Sequence, residues 1–147
     1  MRRFPSGVAI ITVDADGERL GLTVGSLVSL SLEPPLVGVS VSRQAAMHEL
    51  LRAAGGFALS LLAGDQEAVA QHFARGVPPF AHWHGIASRP GAAGAPLLDG
   101  ALGWIECRLS AEHTAGDHTL FVGEVLSAEA GRAASPLVFL EQRYLSL

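Results

Sequence analysis

Several residue types are scarce or missing in this chain of 147 residues, and each absence removes a class of chemistry. All 10 basic residues are arginine, so no lysine is available for a Schiff base or a phosphate-binding loop. Cys107 is the single cysteine, which excludes an internal disulfide and any multi-cysteine metal site. One lone thiol also favours a reducing cytoplasm.

Long apolar runs are missing as well. None reaches the length of a membrane span, and the N-terminal Met-Arg-Arg-Phe-Pro-Ser lacks the apolar core of a signal peptide. The formal net charge of −4 argues against a polyanion partner. We therefore predict a cytoplasmic protein that binds neither membranes nor nucleic acid.

The composition that remains is that of a folded protein, with 49% hydrophobic and 16% charged residues. The length favours one domain over residues 1–147. The mean hydropathy of +0.34 is high for a small protein, so we expect a second copy of the chain to cover apolar surface.

Residues 21–37 are the most informative stretch. Hydroxyl side chains alternate with apolar ones between Val28 and Leu32, which predicts a strand with one buried face that ends at Pro34-Pro35. Just before it, residues 23–26 (Thr-Val-Gly-Ser) combine two hydroxyls with a glycine, so a ligand can approach the backbone closely. An ordinary serine-rich strand is the alternative.

Other apolar runs predict further strands and two short helices. Met47, Leu50, Leu51 and Ala54 recur at helical spacing before Gly55-Gly56, and Ser42-Arg43 at the helix entry suits an anion. A second helix is predicted from an Asp65 N-cap to about residue 74, with Val69 and Phe73 facing inward. The predicted strands lie at residues 8–13, 36–42, 57–62, 101–112, 118–125 and 136–140. This order predicts a mainly β fold, a closed barrel with two inserted helices.

Residues 76–100 show no period and contain several prolines, as expected for a binding loop or lid. Phe80 and Trp83 within it either cover a ligand or plug the barrel end. His82 and His84, with His72 or His113, have the spacing of metal ligands, but no thiolate or carboxylate pattern completes the set, so we predict no metal. Cys107 alternates with Ile105 and Leu109 and is expected in the core.

Taken in order, these motifs resemble the flavin reductase-like family, the NAD(P)H:flavin oxidoreductases that serve two-component monooxygenases. The resemblance spans nearly the whole chain. It is carried by Gly7-Val8, Thr23-x-x-Ser26, the segments 29–37, 57–62, 70–74 and 94–102, Glu106-Cys107, and Gly116-Asp117-His118 with the strand that follows.

The family resemblance implies a split β-barrel, an obligate homodimer, FMN or FAD as cofactor and NADH or NADPH as hydride donor. It implies that residues 23–26 lie along the flavin ring and that residues 40–47 hold the ribityl chain and phosphate. His118 corresponds to the histidine that lines the nicotinamide site. The implied flavin-binding residues are Thr23, Val24, Gly25, Ser26, Leu27, Ser40, Val41, Ser42, Arg43, Ala46, Met47 and Phe73.

The predicted function is hydride transfer from NAD(P)H to FMN or FAD, which supplies reduced flavin to a partner monooxygenase. Two alternatives stay open. The first is a flavin-binding split barrel without nicotinamide turnover. The second is a structural dimer module that has lost its ligand, because Gly25 and Leu27 stand where the family commonly has Asn and Phe.

Overall fold

The computed structural model describes all residues, Met1–Leu147. It is mainly β, as predicted. The two helices are α1 (Ala46–Ala54) and α2 (Glu67–Ala74), and a single 3-10 turn spans Pro79–Ala81. The strands are β1 (Ser6–Gly7), β2 (Ala9–Ala15), β3 (Glu18–Val24), β4 (Val28–Leu32), β5 (Pro35–Ser42), β6 (Gly56–Leu61), β7 (Ser88–Pro90), β8 (Pro96–Leu98), β9 (Gly103–Ala115), β10 (His118–Ala130), β11 (Leu137–Leu140) and β12 (Arg143–Ser146). Neither helix is long and apolar enough to cross a membrane.

Seven strands form one antiparallel sheet in the order β3-β2-β6-β9-β10-β5-β4. Its two edge strands, β3 and β4, are consecutive in the chain and separated by residues 25–27 alone, so the sheet must curl until its edges come close together. The strand predicted at Val28–Leu32 is β4, and the structure adds a further strand, β3, before it. The edges do not pair with each other, so the predicted closure of the barrel is not made by backbone hydrogen bonds.

The concave side of the curled sheet holds the larger apolar cluster. Ile11, Val13, Val39 and Phe121 are fully buried there, and α1 covers them with Met47 and Leu51, as its helical spacing predicted. Gly55 ends α1 in the left-handed conformation, also as predicted. Cys107 lies in the same cluster, where burial raises the pKa of its thiol to about 12.

A second cluster lies on the convex side, under α2. Ile10, Leu62 and Phe73 pack there against Leu137 of β11, which belongs to a small sheet of order β1-β11-β12 built from both chain termini. Helix α2 begins later than predicted: Gln66 is its N-cap, and Asp65 instead pairs with Arg132.

The alternating stretch Val28–Leu32 departs from its prediction. It is a strand, but Val28 and Leu30 are each 44% exposed and Leu32 is 87% exposed. The predicted buried face is therefore wrong for the single chain. Alternation of this kind gives a buried face in an inner strand, but β4 is the outermost strand of the sheet and nothing within one chain covers it.

Candidate functional site

The end of β3, the end of β5 and the start of β10 meet around one shallow depression of about 390 Å³. His118 and Ser42 are direct neighbours across the β10–β5 ladder, which brings the second half of the chain to the first. The depression is lined by residues 22–26 and 40–42, with Ala45 and His118. The structure thus gathers the predicted residues Thr23, Val24, Gly25, Ser26, Ser40, Val41, Ser42 and His118.

Two of the hydroxyls in the depression are already bound within the fold. Thr23 donates its Oγ1 hydrogen to the Ala70 carbonyl at 2.6 Å, which ties β3 to α2. The Ser26 hydroxyl donates to the Ser40 carbonyl and accepts from the Ser40 N–H, both at 3.0 Å, which fastens the loop between the sheet edges to β5. A ligand beside residues 24–26 therefore meets mainly backbone, as the glycine at 25 suggested.

His118 is held in one orientation by its neighbour. Its Nδ1 lies 2.8 Å from Asp117 Oδ1, and this hydrogen bond lowers the pKa of the Asp117 carboxyl. An ionised carboxylate only accepts, so Nδ1 carries the hydrogen and Nε2 is left for a ligand. The ring is 44% exposed, so a partner can reach it.

The two residues at the entry of α1, Ser42 and Arg43, line two different cavities. The Ser42 hydroxyl accepts a hydrogen bond from the Gln44 N–H at 3.3 Å and faces the depression. Arg43, an exposed side chain, lines a separate polar cavity of about 550 Å³ with Arg52 and buried His48. Arg52 is ion-paired with Glu49 and Glu112, whereas Arg43 makes no ion pair in the chain. Arg43 is thus the available cation at this helix entry.

Besides Arg43, four predicted flavin-binding residues lie outside the depression. Met47 is buried in the larger cluster and Phe73 in the second cluster, where its ring packs against Gly21. Ala46 is exposed at the first turn of α1, and Leu27 lines a neighbouring groove. The signals at Met47 and Phe73 were those of helix faces that pack inward, which is the role the structure gives them.

The histidine-containing loop is anchored by backbone contacts. His82 Nε2 accepts the Gly21 N–H at 2.9 Å, and His72 Nε2 lies 2.7 Å from the His82 carbonyl. Trp83 packs on Phe73 and donates to the Arg19 carbonyl, while Phe80 is 89% exposed. No three side chains of metal-binding type lie together. Trp83 therefore covers the convex cluster rather than the depression.

No pattern in the sequence indicated that the terminal sheet is part of the site. Ser6 of β1 and Phe139 of β11 border a groove of about 660 Å³ that runs along residues 25–28. Tyr144 of β12 lines a smaller cavity of about 170 Å³, which also touches residues 23–25. Phe139 and Tyr144 lie more than 100 positions from residues 23–28 in the chain, and no local pattern relates them.

Comparison with known proteins identifies a family that matches the whole chain. The profile of the family described as "Flavin reductase like domain" matches residues 1–147. The reductase component of 4-hydroxyphenylacetate 3-monooxygenase from Thermus thermophilus is 41% identical over 147 residues, covering 100% of this chain and 92% of the relative. An NADH-dependent flavin reductase from Rhodococcus sp. is 43% identical, covering 99% of this chain and 81% of the relative.

Solved structures give the same result. The NADH:FAD oxidoreductase SgcE6 of Streptomyces globisporus, in complex with NAD and FAD fragments, superposes with a TM-score of 0.93 at 37% identity. The match covers 99% of this chain and 87% of that one. The flavin reductase HpaC in complex with NADP+ has a TM-score of 0.92 at 33% identity, with 100% and 93% covered.

Proposed function

Because this chain belongs to the flavin reductase-like domain family, we propose that it transfers hydride from NADH or NADPH to FMN or FAD. The observation that carries the proposal is the single depression where the backbone of residues 24–26 faces Ser40, Ser42 and His118. A flavin bound there would supply the ring that accepts the hydride. Such a transfer needs close, stacked rings and no nucleophile.

The residues fit a flat, polar-edged ligand. Gly25 has no side chain to hold a ring away from the backbone, and backbone N–H groups favour negative charge at the edge of a ring that is being reduced. The unpaired guanidinium of Arg43, beside the first turn of α1, is suited to a phosphate group. Residues 24–26 thus serve the ring and residues 42–43 the phosphate.

His118 acts by positioning the hydride donor. Asp117 holds its Nδ1–H, so Nε2 is presented to the depression as an acceptor. A carboxamide N–H2, the polar group of nicotinamide, is a matching donor. The ring therefore orients a nicotinamide and takes no part in the hydride step itself.

The proposal extends to the assembly. We propose that the curled sheet with its unpaired edges is a split barrel. The apolar side chains of β4 would then form the surface on which a second copy packs to give a homodimer. The Thermus relative is named a reductase component, so we propose that this chain likewise supplies reduced flavin to a separate monooxygenase. We also propose that the chain is one domain. Its single thiol is free and buried, which fits a protein of the reducing cytoplasm.

Anaerobic mixing tests the function directly. Purified protein is combined with FMN or FAD and with NADH or NADPH, and loss of the flavin absorbance near 450 nm is followed in all four pairs. Reduction in at least one pair, at a rate well above that without protein, is expected. Quenched flavin fluorescence without reduction would instead assign a flavin binder without turnover. No quenching at all would assign a structural module that has lost its ligand.

A further inference from the structure

Gly25 lies where three cavities meet. It lines the depression with His118, the groove of about 660 Å³ beside the terminal sheet, and the small cavity next to Tyr144. A ligand resting on Gly25 can therefore reach groups on the terminal sheet as well as groups on β5 and β10.

The space of a side chain at position 25 is already occupied. A Cβ placed on Gly25 would lie 2.7 Å from Ser6 Oγ and 3.5 Å from Ser6 Cβ. Real Cβ atoms do not approach this closely, so a side chain at position 25 would collide with the Ser6 hydroxyl unless Ser6 shifted. A residue 19 positions earlier thus provides the polar group at this point.

Ser6 is held firmly and its hydroxyl is free. The backbone of Ser6 pairs with Phe139 in the β1–β11 ladder, and the Val8 N–H donates to the Leu137 carbonyl at 3.2 Å. The side-chain hydrogen bonds of the fold use Thr23 and Ser26 but not Ser6. Among the three hydroxyls around Gly25, Ser6 therefore has the one that a ligand can bind.

We propose that Ser6 is a further flavin-binding residue, whose hydroxyl acts across the chain in the place of a polar side chain at position 25. The inference rests on the proposed function. A hydroxyl both donates and accepts, and the flavin ring edge offers N–H and C=O groups for either bond. Ser6 and Gly25 thus determine flavin affinity together, so the effect of a substitution at one position depends on the residue at the other.

The first test is Ser6→Ala, measured by quenching of FMN and FAD fluorescence. Loss of one hydrogen bond to the ligand should raise the flavin Kd about 3- to 10-fold. Ser146→Ala, on the same terminal sheet but remote from Gly25, should leave the Kd unchanged. Thermal unfolding without flavin should give the same midpoint for all three proteins within about 2 °C, since no hydrogen bond of the fold is lost.

The second test moves the hydroxyl. Ser6→Gly and Gly25→Ser are each expected to weaken flavin binding, the first by losing the hydroxyl and the second by collision with Ser6. The double variant has a hydroxyl and no collision, so its Kd should return to within about threefold of wild type. Losses that simply add in the double variant would overturn the proposal, as would wild-type affinity in Ser6→Ala.

These outcomes separate the inference from the function beneath it. If wild-type protein quenches flavin and reduces it while Ser6→Ala binds equally well, only the role of Ser6 fails. If the wild type neither binds nor reduces any flavin, the proposed function fails and the role of Ser6 with it.

Discussion

Among the single residues around the depression, the fold divides the polar side chains into those it has already bound and those it leaves open. Thr23 and Ser26 donate their hydroxyl hydrogens to the carbonyls of Ala70 and Ser40. These two side chains therefore support ligand binding by fixing the backbone between them. His118 keeps Nε2 open because Asp117 binds Nδ1. Ligand recognition on the β10 side therefore depends on one ring nitrogen.

This dependence predicts the effect of His118→Ala. Removing the ring should lower kcat/KM for the nicotinamide substrate by about tenfold or more, corresponding to about 1.4 kcal/mol of lost interaction. The flavin Kd should stay within about twofold, because residues 24–26 and 42–43 are untouched. Stopped-flow reduction and fluorescence titration measure the two quantities.

The matched control is His113→Ala, an exposed histidine on β9 outside the depression, which should change neither quantity. Lost flavin affinity with unchanged nicotinamide kinetics in His118→Ala would place this ring on the flavin side of the site instead.

At the scale of helices and strands, local sequence patterns predicted which elements form but not always which elements pack beside them. The face of α1 and its glycine stop both follow from nearby residues, and the structure confirms them. The alternation in β4 describes a strand but does not reveal that it is an edge. Whether a hydrophobic face is buried depends on strands that are distant in sequence.

The site shows the same limit. The hydroxyl and glycine content of residues 23–26 indicated a ligand surface from the sequence, whereas residues 40–42 were implied by the family resemblance. Ser6 reaches Gly25 only because β1 pairs with β11 near the other terminus. Met47 and Phe73 illustrate the reverse case, since an apolar residue next to a site is more often packed beneath it than exposed in it.

The anchored loop gives a prediction at this scale. His82 is buried, and burial lowers its pKa, with the charge of nearby His72 as a lesser cause. The folded state thus prefers the neutral ring, which accepts the Gly21 N–H. An unfolded histidine titrates near about pH 6.5, so the stabilising contribution is complete above that pH and is lost as the pH falls toward the folded pKa.

Thermal unfolding between pH 5 and 8 should therefore show a midpoint that falls on the acid side, and His82→Ala should flatten this slope. At pH 7.5 the variant leaves the Gly21 N–H without an acceptor and should lose about 1–3 kcal/mol of stability. His84→Ala, an exposed neighbour in the same loop, serves as control. An unchanged pH slope in His82→Ala would contradict the assignment.

At the scale of the whole molecule, the curled sheet leaves an apolar edge strand, β4, exposed to solvent. Val28 and Leu30 of β4 pack with Leu120 over Gly38, where a Cβ would come within 2.9–3.2 Å of all three side chains. These residues form a continuous apolar surface on the outer strands, bordered by exposed Leu32. Such an edge is a template for association, and a symmetric contact between two copies would cover it on both.

Leu30→Glu tests this interface. The wild type should elute with a mass twice the 15.3 kDa of one chain in size-exclusion chromatography with light scattering. A carboxylate placed on both sides of a symmetric apolar contact carries a desolvation cost of several kcal/mol, so the variant should be monomeric at about 10 μM. Phe80→Glu is the control, because Phe80 is just as apolar and 89% exposed but lies in the loop after α2, and the Phe80→Glu protein should remain a dimer.

A wild-type monomer, or a Leu30→Glu protein that is still dimeric, would show that β4 is not the contact. If the variant is monomeric and also binds flavin more weakly, the second copy completes the depression between β3, β5 and β10.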